Sequence, residues 1–313
     1  MNYIHKDVEF PSNDGKNTIH AELFVPSSAD IRGVLQISHG MADYIGRYAG
    51  LAEAITAAGY VVAGNDHLGH GSSVANPDDY GYFAPNGGYG FVIDDVNRMN
   101  SILRTAYPDV PIVLMGHSMG SFVARLYAEK YPETIDALII YGTAGPNPIL
   151  PFGKLLVKIL KRIRGEKYRS KFVWTMADGG YNKSFNAERG SGVWLTRDAE
   201  MVKDRIGNPK NDFIFTLSAY ADLFTMLGEC NKDAWFEKFP KELPTLVVSG
   251  MEDPVGDFGK GVYYVYGKLR SCGANAELQM YEGARHELFN ETNREEVFAD
   301  LVSWLNGIRK VTR

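Results

Sequence analysis

The sequence predicts an α/β protein: a mostly parallel central sheet, helices on both faces, and one inserted helical cap. Three observations carry this. Short apolar runs rich in Val and Ile alternate with stretches of helical periodicity. Polar, glycine-containing segments follow several of those runs, at the carboxyl strand ends where such sheets gather a ligand site. From Gly145 to about Leu227 the alternation stops, and it resumes afterwards.

Residues 3–10 and 18–25 read as two antiparallel strands, with Asn13-Asp14-Gly15-Lys16 as turn chemistry between them. In the second, Ile19, Ala21, Leu23 and Val25 alternate with His20, Glu22 and Phe24, so His5 and His20 are expected on the solvent face. Gly33 to Ser38 reads as a central strand ending in His39-Gly40-Met41-Ala42-Asp43. Tyr44 to Ala58 is helical and closes on Gly59. Tyr60 to Asn65 is the next strand, running into Asp66-His67-Leu68-Gly69-His70-Gly71-Ser72. A helix spans about Tyr89 to Ala106. Val110 to Met115 is a buried strand, and Phe122, Val123, Leu126 and Tyr127 place a helix up to Tyr131. Ile135 to Tyr141, Pro244 to Gly250 and Asn275 to Tyr281 are further strands, and Arg294 to Ile308 is a closing helix. The chain divides into a core of residues 1–144, a helical cap over 145–227 and a second core part over 228–313. An insert of this length inside a compact domain reads as a lid.

The bulk numbers set bounds. With 45% hydrophobic and 23% charged residues, the 313-residue chain has the composition of an ordinary soluble globule. A net charge of −5 argues against nucleic acid as a partner, which needs a basic surface. Cys230 and Cys272 belong to no C-x-x-C pattern and read as free thiols in a reducing compartment, so no metal is expected. The first residues hold no apolar signal-peptide core, and no run of 18 apolar residues occurs. The expected location is the cytoplasm.

Gly116-His117-Ser118-Met119-Gly120 lies where a strand turns directly into a helix. In that setting G-x-S-x-G means a tight turn with small flanking residues and a serine hydroxyl thrust above the sheet edge. Met119 opens the helix, so its N–H can meet an oxyanion. A serine hydroxyl needs a base to act as a nucleophile. His117 neighbours the serine and should point elsewhere; His39, His67 and His70 sit in loops that they brace. His286, in Tyr281-Glu282-Gly283-Ala284-Arg285-His286, follows the last strand and fits the order nucleophile, acid, histidine. Asp253, just past the strand ending at Gly250, is the chosen acid, with Glu252 and Asp257 as rivals. In these roles Ser118 attacks an acyl carbonyl, His286 relays the proton and Asp253 orients the imidazole. Backbone N–H groups of Met41 and Met119 complete an oxyanion hole.

These segments, with Gly46-Arg47-Tyr48, resemble the monoacylglycerol lipase and lysophospholipase branch of the α/β-hydrolases over nearly the whole chain outside the cap. The resemblance carries the family's triad onto Ser118, Asp253 and His286, and its oxyanion donors onto Met41 and Met119. It implies carboxylic ester hydrolysis of a small acyl ester, a helical cap and no cofactor. Ser121 stands where many members have Gly, and Asp43 where a Glu is frequent. Both departures bear on the polar head of the substrate.

Ile149 to Ile163 is an amphipathic stretch. Ile149, Phe152, Leu155, Leu156, Ile159, Leu160 and Ile163 share one side, while Lys154, Lys158, Lys161, Arg162 and Arg164 share the other and Val157 breaks the pattern. One reading is a lid helix with its apolar face on an acyl pocket and its basic face in water. The other is a helix that meets anionic lipid, a peripheral membrane contact through Lys154–Arg164. Trp174, Trp194, Phe213, Phe215, Phe224 and Trp235 add aromatic surface in or near the cap.

Other readings compete. An aminopeptidase or acyltransferase would use the same triad, but a peptidase needs carboxylates for a substrate amine, and the sequence places none. A non-catalytic binding module would ordinarily lack a triad member. A carboxylate nucleophile, as in dehalogenase or epoxide-hydrolase chemistry, is disfavoured, because Ser118 occupies the elbow.

Overall fold

The computed structural model describes residues 3–310 except 29, 179 and 189. Its eight strands are β1 (Tyr3–Pro11), β2 (Thr18–Pro26), β3 (Gly33–Ser38), β4 (Tyr60–Asn65), β5 (Ile112–His117), β6 (Ala137–Tyr141), β7 (Thr245–Gly250) and β8 (Ala276–Tyr281). They form one sheet in the order β1-β2-β4-β3-β5-β6-β7-β8. β1 pairs antiparallel with β2 and β2 antiparallel with β4; every other pairing is parallel. Strands β3 to β7 are buried along their whole length, which is why they read as continuous apolar runs rather than alternating ones.

Crossover helices cover both faces. α1 (Ala49–Ala57) and α10 (Arg294–Gly307) pack on Leu35, Ile37, Val62, Val113, Met115 and Ile139. α2 (Gly88–Ala106), α3 (Met119–Lys130) and α9 (Lys260–Ser271) pack on Val34, Val61, Ile112, Leu114, Leu138 and Ile140. The chain winds from β3 outward to β4 and then returns to β5 on the other side. The crevice between the ends of β3 and β5 is therefore the switch point at which open α/β sheets bind ligands.

Between β6 and β7 lie α4 (Leu150–Arg164), α5 (Lys171–Asp178), α6 (Ala199–Arg205), α7 (Leu217–Glu229) and α8 (Asp233–Lys238), with no strand among the described residues. α4 rests on α7, and the residue that broke its helical pattern, Val157, is fully buried beside Gly153. A side chain at Gly153 would press on Phe224, so the helix approaches through its smallest residues. The apolar stripe faces outward: Ile149 is 56% exposed, Phe152 61%, Leu155 56%, Ile159 48% and Ile163 70%. The reading that turned this stripe down onto a pocket does not hold for Phe152, Leu155, Ile159 and Ile163; Ile149, though exposed, also borders the apolar cavity beside Ser118. Leu150, Leu156 and Leu160 alone are partly covered.

Other departures are local. α9 was not anticipated, although Val262, Val265 and Leu269 carry its buried face. The helix expected from Tyr44 opens with a 3-10 turn over Ile45–Tyr48. His20 is half-buried rather than solvent-facing, because β2 pairs with β4 and brings it to Asp66, 3.2 Å away.

Candidate active site

Ser118 joins β5 to α3 with φ 54° and ψ −119°, a left-handed backbone that a non-glycine residue occupies only under constraint. The constraint is steric. A Cβ at Gly116 would sit 2.1 Å from the Gly120 carbonyl oxygen, and one at Gly120 would sit 2.0 Å from that of Ser38. Any larger residue at either position would open the turn and lower the serine. Ser121 fixes the far side, donating its hydroxyl hydrogen to the Ser118 carbonyl at 2.6 Å.

Asp253 and His286 follow β7 and β8. The His286 ring lies with Nδ1 2.8 Å from Asp253 Oδ2, and both side chains are buried. A carboxylate accepts, so Nδ1 carries the hydrogen and Nε2 keeps its lone pair. Asp253 is itself held: Val255 N–H donates to Oδ1 at 2.9 Å and the Ser249 hydroxyl to Oδ2 at 3.3 Å. The rival acids turn away, the half-exposed Glu252 toward Arg285 and the largely exposed Asp257 toward Lys260. Ser118 and His286 line one polar cavity, with no direct hydrogen bond between them among the described residues. Such bonds are often long without substrate and tighten as it seats.

Met41 follows β3 and Met119 opens α3, facing each other across the switch point. Two buried histidines set the Met41 loop. His39 Nε2 accepts the His67 N–H at 3.0 Å, so its Nδ1 donates to the Gly40 carbonyl at 2.9 Å. With that carbonyl turned to His39, the N–H of the same peptide, that of Met41, points the opposite way. His70 Nδ1 donates to the Leu68 carbonyl at 2.9 Å, leaving Nε2 to accept the Ala42 N–H at 3.3 Å. Burial first, then the nearby His39 ring, hold His70 down at about 3, so it stays neutral. His67 is pushed down for the same two reasons.

A buried ionic network adjoins the histidine, and the sequence reading assigned it no role. Arg47 Nη2 is 2.7 Å from Glu287 Oε2, and Arg47 Nη1 is 2.9 Å from Asp43 Oδ1. Burial alone would raise both carboxyls; the Arg47 charge more than offsets it and keeps both below their ordinary values. Tyr48 donates to Asp43 Oδ2 at 3.1 Å and so receives the His117 Nδ1 hydrogen at 3.1 Å. His117 lies with its ring 4.2 Å from that of Tyr141 and 4.7 Å from that of His286.

Two cavities meet at Ser118. One, of ≈ 560 Å³, is lined mainly by apolar groups such as Phe122, Leu150, Met176, Leu223, Phe224 and Leu227. The other, of ≈ 240 Å³, carries polar groups including Asn182, Arg205, Asn211, Asp212 and Glu287. Trp194 borders both, while Phe215 and Trp235 are core.

A parallel sheet wound this way, with a strained serine at its switch point, makes the chain an α/β-hydrolase. Comparison with known proteins agrees. The chain belongs to the family described as serine aminopeptidase, S33, whose model matches residues 29–293. It is 26% identical to the monoacylglycerol lipase of Mycolicibacterium smegmatis, over 91% of each chain. It is 27% identical to a monoglyceride lipase homolog of Monkeypox virus, over 88% of this chain and 89% of that one. A thermostable carboxyl esterase from Bacillus coagulans, solved with glycerol, superposes with a TM-score of 0.90 at 29% identity, covering 97% of this chain and 98% of that chain.

Proposed function

We propose that the chain is a serine hydrolase that cleaves carboxylic esters of single-chain acyl lipids, of the monoacylglycerol lipase and lysophospholipase type. Ser118 is the nucleophile. His286 removes its proton through Nε2 and returns it to the departing alcohol. Asp253, hydrogen-bonded at 2.8 Å, keeps the imidazole in the required tautomer and stabilises the imidazolium. Met41 and Met119 N–H groups receive the oxyanion, a contribution of about 3 kcal/mol to the barrier for each donor. The acyl-enzyme is released by water activated at His286. Residues 145–227 act as a cap that roofs both cavities.

The observation that carries this reading is the meeting of an apolar and a polar cavity at one strained serine. A fatty chain fits the first and an oxygen-rich alcohol the second. A panel of p-nitrophenyl esters, monoacylglycerols and amino-acid anilides tests it. Turnover of the esters with no anilide cleavage is expected.

The family's description favours a second reading, an aminopeptidase. The carboxylates beside the polar cavity are Asp43, Asp212 and Glu287, and the first and last are already ion-paired to Arg47, whose single charge offsets one of the two. Asp212 alone is left for a substrate amine, with Arg205 in the same cavity. Ester cleavage is the better fit.

The outward stripe of α4 supports a lipid-surface contact. Phe152, Leu155, Ile159 and Ile163 form one exposed row flanked by the exposed cations Lys158, Arg162 and Arg164. An apolar row edged with positive charge suits the interface of anionic lipid. No described helix is long and apolar enough to cross a membrane.

A further inference from the structure

Ala42 follows the oxyanion residue Met41 and has φ 49°, a left-handed conformation disfavoured for alanine. Such a conformation persists only where its surroundings over-determine it. On the amino side, His39 and His70 from the core hold the Gly40 carbonyl and the Ala42 N–H. On the carboxyl side, the partners come from the insertion. Asn211 Nδ2 donates to the Ala42 carbonyl at 3.0 Å, and Arg205 Nη2 donates to it at 3.2 Å. The same segment touches the neighbouring loops: Asn208 Nδ2 reaches the Tyr44 hydroxyl at 3.3 Å, and Lys210 Nζ reaches Ser72 Oγ at 2.9 Å.

We infer that Asn211 and Arg205 are positioning residues that hold the Met41 N–H in the oxyanion hole by clamping the Ala42 carbonyl. The inference rests on the reading of Met41 as an oxyanion donor. Two backbone dihedrals pairs, those of Met41 and Ala42, separate the clamped carbonyl from that N–H. Without the clamp, Ala42 relaxes toward negative φ, and the change passes back through the Met41 dihedrals to a peptide then held only from the His39 and His70 side. The Arg205 bond is charge-assisted and the stronger type of the two. The cap therefore completes the catalytic geometry as well as roofing it: seating residues 205–211 on the core sets the oxyanion hole, and lifting them loosens it.

The test uses full-length Asn211→Ala, Arg205→Met, the double variant and the near-isosteric Asn211→Asp, with thermal melts to compare folding. Steady-state kcat and KM are measured on p-nitrophenyl butyrate and on a 1-monoacylglycerol. Affinity for a boronic acid that mimics the tetrahedral intermediate is measured in parallel. Clamp loss should lower kcat about tenfold in each single variant and about a hundredfold in the double, with KM within about twofold. The loss should be equal on both esters and should track boronate affinity; Arg205→Lys should recover part of it. Unchanged kcat in folded variants overturns the inference. So does a loss confined to the monoacylglycerol, because Arg205 Nε and the Asn211 carbonyl oxygen, both unpartnered, would then be serving the alcohol. If wild-type esterase activity survives Ser118→Ala, the underlying catalytic reading fails instead.

Discussion

Arg47 Nη2 lies 2.7 Å from Glu287 Oε2, tying the residue after His286 to the segment that follows the Met41 loop. The pair is nearly dry, with side chains 13% and 6% exposed. Removing Arg47 leaves Glu287 and Asp43 as uncompensated buried charges. Arg47→Met should cost about 3–5 kcal/mol of folding stability. Urea denaturation measures this; a loss under about 1 kcal/mol would mean the network is not structural. Arg47→Met paired with Glu287→Gln should lose less than the sum of the two single variants, since the second change removes one stranded charge.

Asp253→Asn preserves shape but reverses the hydrogen-bonding character of one atom. It should lower kcat by about 10³–10⁴-fold with little change in KM. The rivals serve as controls: Glu252→Gln and Asp257→Asn should stay within a few-fold of wild type in stopped-time ester assays. A larger loss at either than at Asp253 would reassign the acid.

Charge reversal at Lys154, Lys158 and Lys161 should weaken sedimentation with anionic vesicles. Phe152→Asp and Ile159→Asp should weaken it on neutral vesicles too, since they act on the apolar row. None of the five should alter kcat on a soluble p-nitrophenyl ester. Equal vesicle binding by wild type and the charge-reversed variant would remove the lipid-surface contact from the account.

His70 and His117 are both held down at about 3, by burial first and then by the neighbouring imidazoles, His39 for the former and His286 for the latter. The unfolded chain takes up these protons near the ordinary value of about 6.5. Their contribution to stability is therefore full above that pH and is lost as pH falls toward 3, by about 1.4 kcal/mol per pH unit for each histidine. Groups raised in the fold act in the opposite sense. Burial raises Asp222 to about 6 and also raises Glu22 and Asp95, and the Asp66 hydrogen bond raises His20. Comparing wild type with His117→Phe isolates one histidine. Between pH 6 and 4 the variant's stability should fall less steeply by about 1.4 kcal/mol per unit; parallel curves would contradict this.

The central strands β3, β4, β5, β6 and β7 were legible because each is a short apolar run, buried throughout, and the first two strands because a turn sequence separates them. Gly116 and Gly120 were legible as steric requirements, and the atoms they would strike now explain them. The pairing of His286 with Asp253 followed from their places after successive strands. The Arg47 network was not legible. In sequence Asp43 and Arg47 stand out only as members of the segments that carry the family resemblance, and only the packing of loops far apart in the chain buries them together with Glu287. The outward face of α4 was one of two readings the sequence left open. A helical wheel assigns the larger apolar side to the interior, but α7 is approached through Leu150, Gly153 and Val157, which leaves the rest of the stripe outside. The Asn211 and Arg205 contacts to Ala42 arise from the end of the short helix α6 and the irregular segment after it, where no sequence pattern reports contacts.

The central claim is that Ser118 is the nucleophile and His286 its base. Intact-mass measurement after treatment with a fluorophosphonate tests it directly. Wild type should gain one adduct, located on Ser118 by peptide mapping. Ser118→Ala should gain none, and His286→Ala should react at least about a thousandfold more slowly. An adduct that persists in Ser118→Ala, or wild-type labelling rates in His286→Ala, would contradict the account.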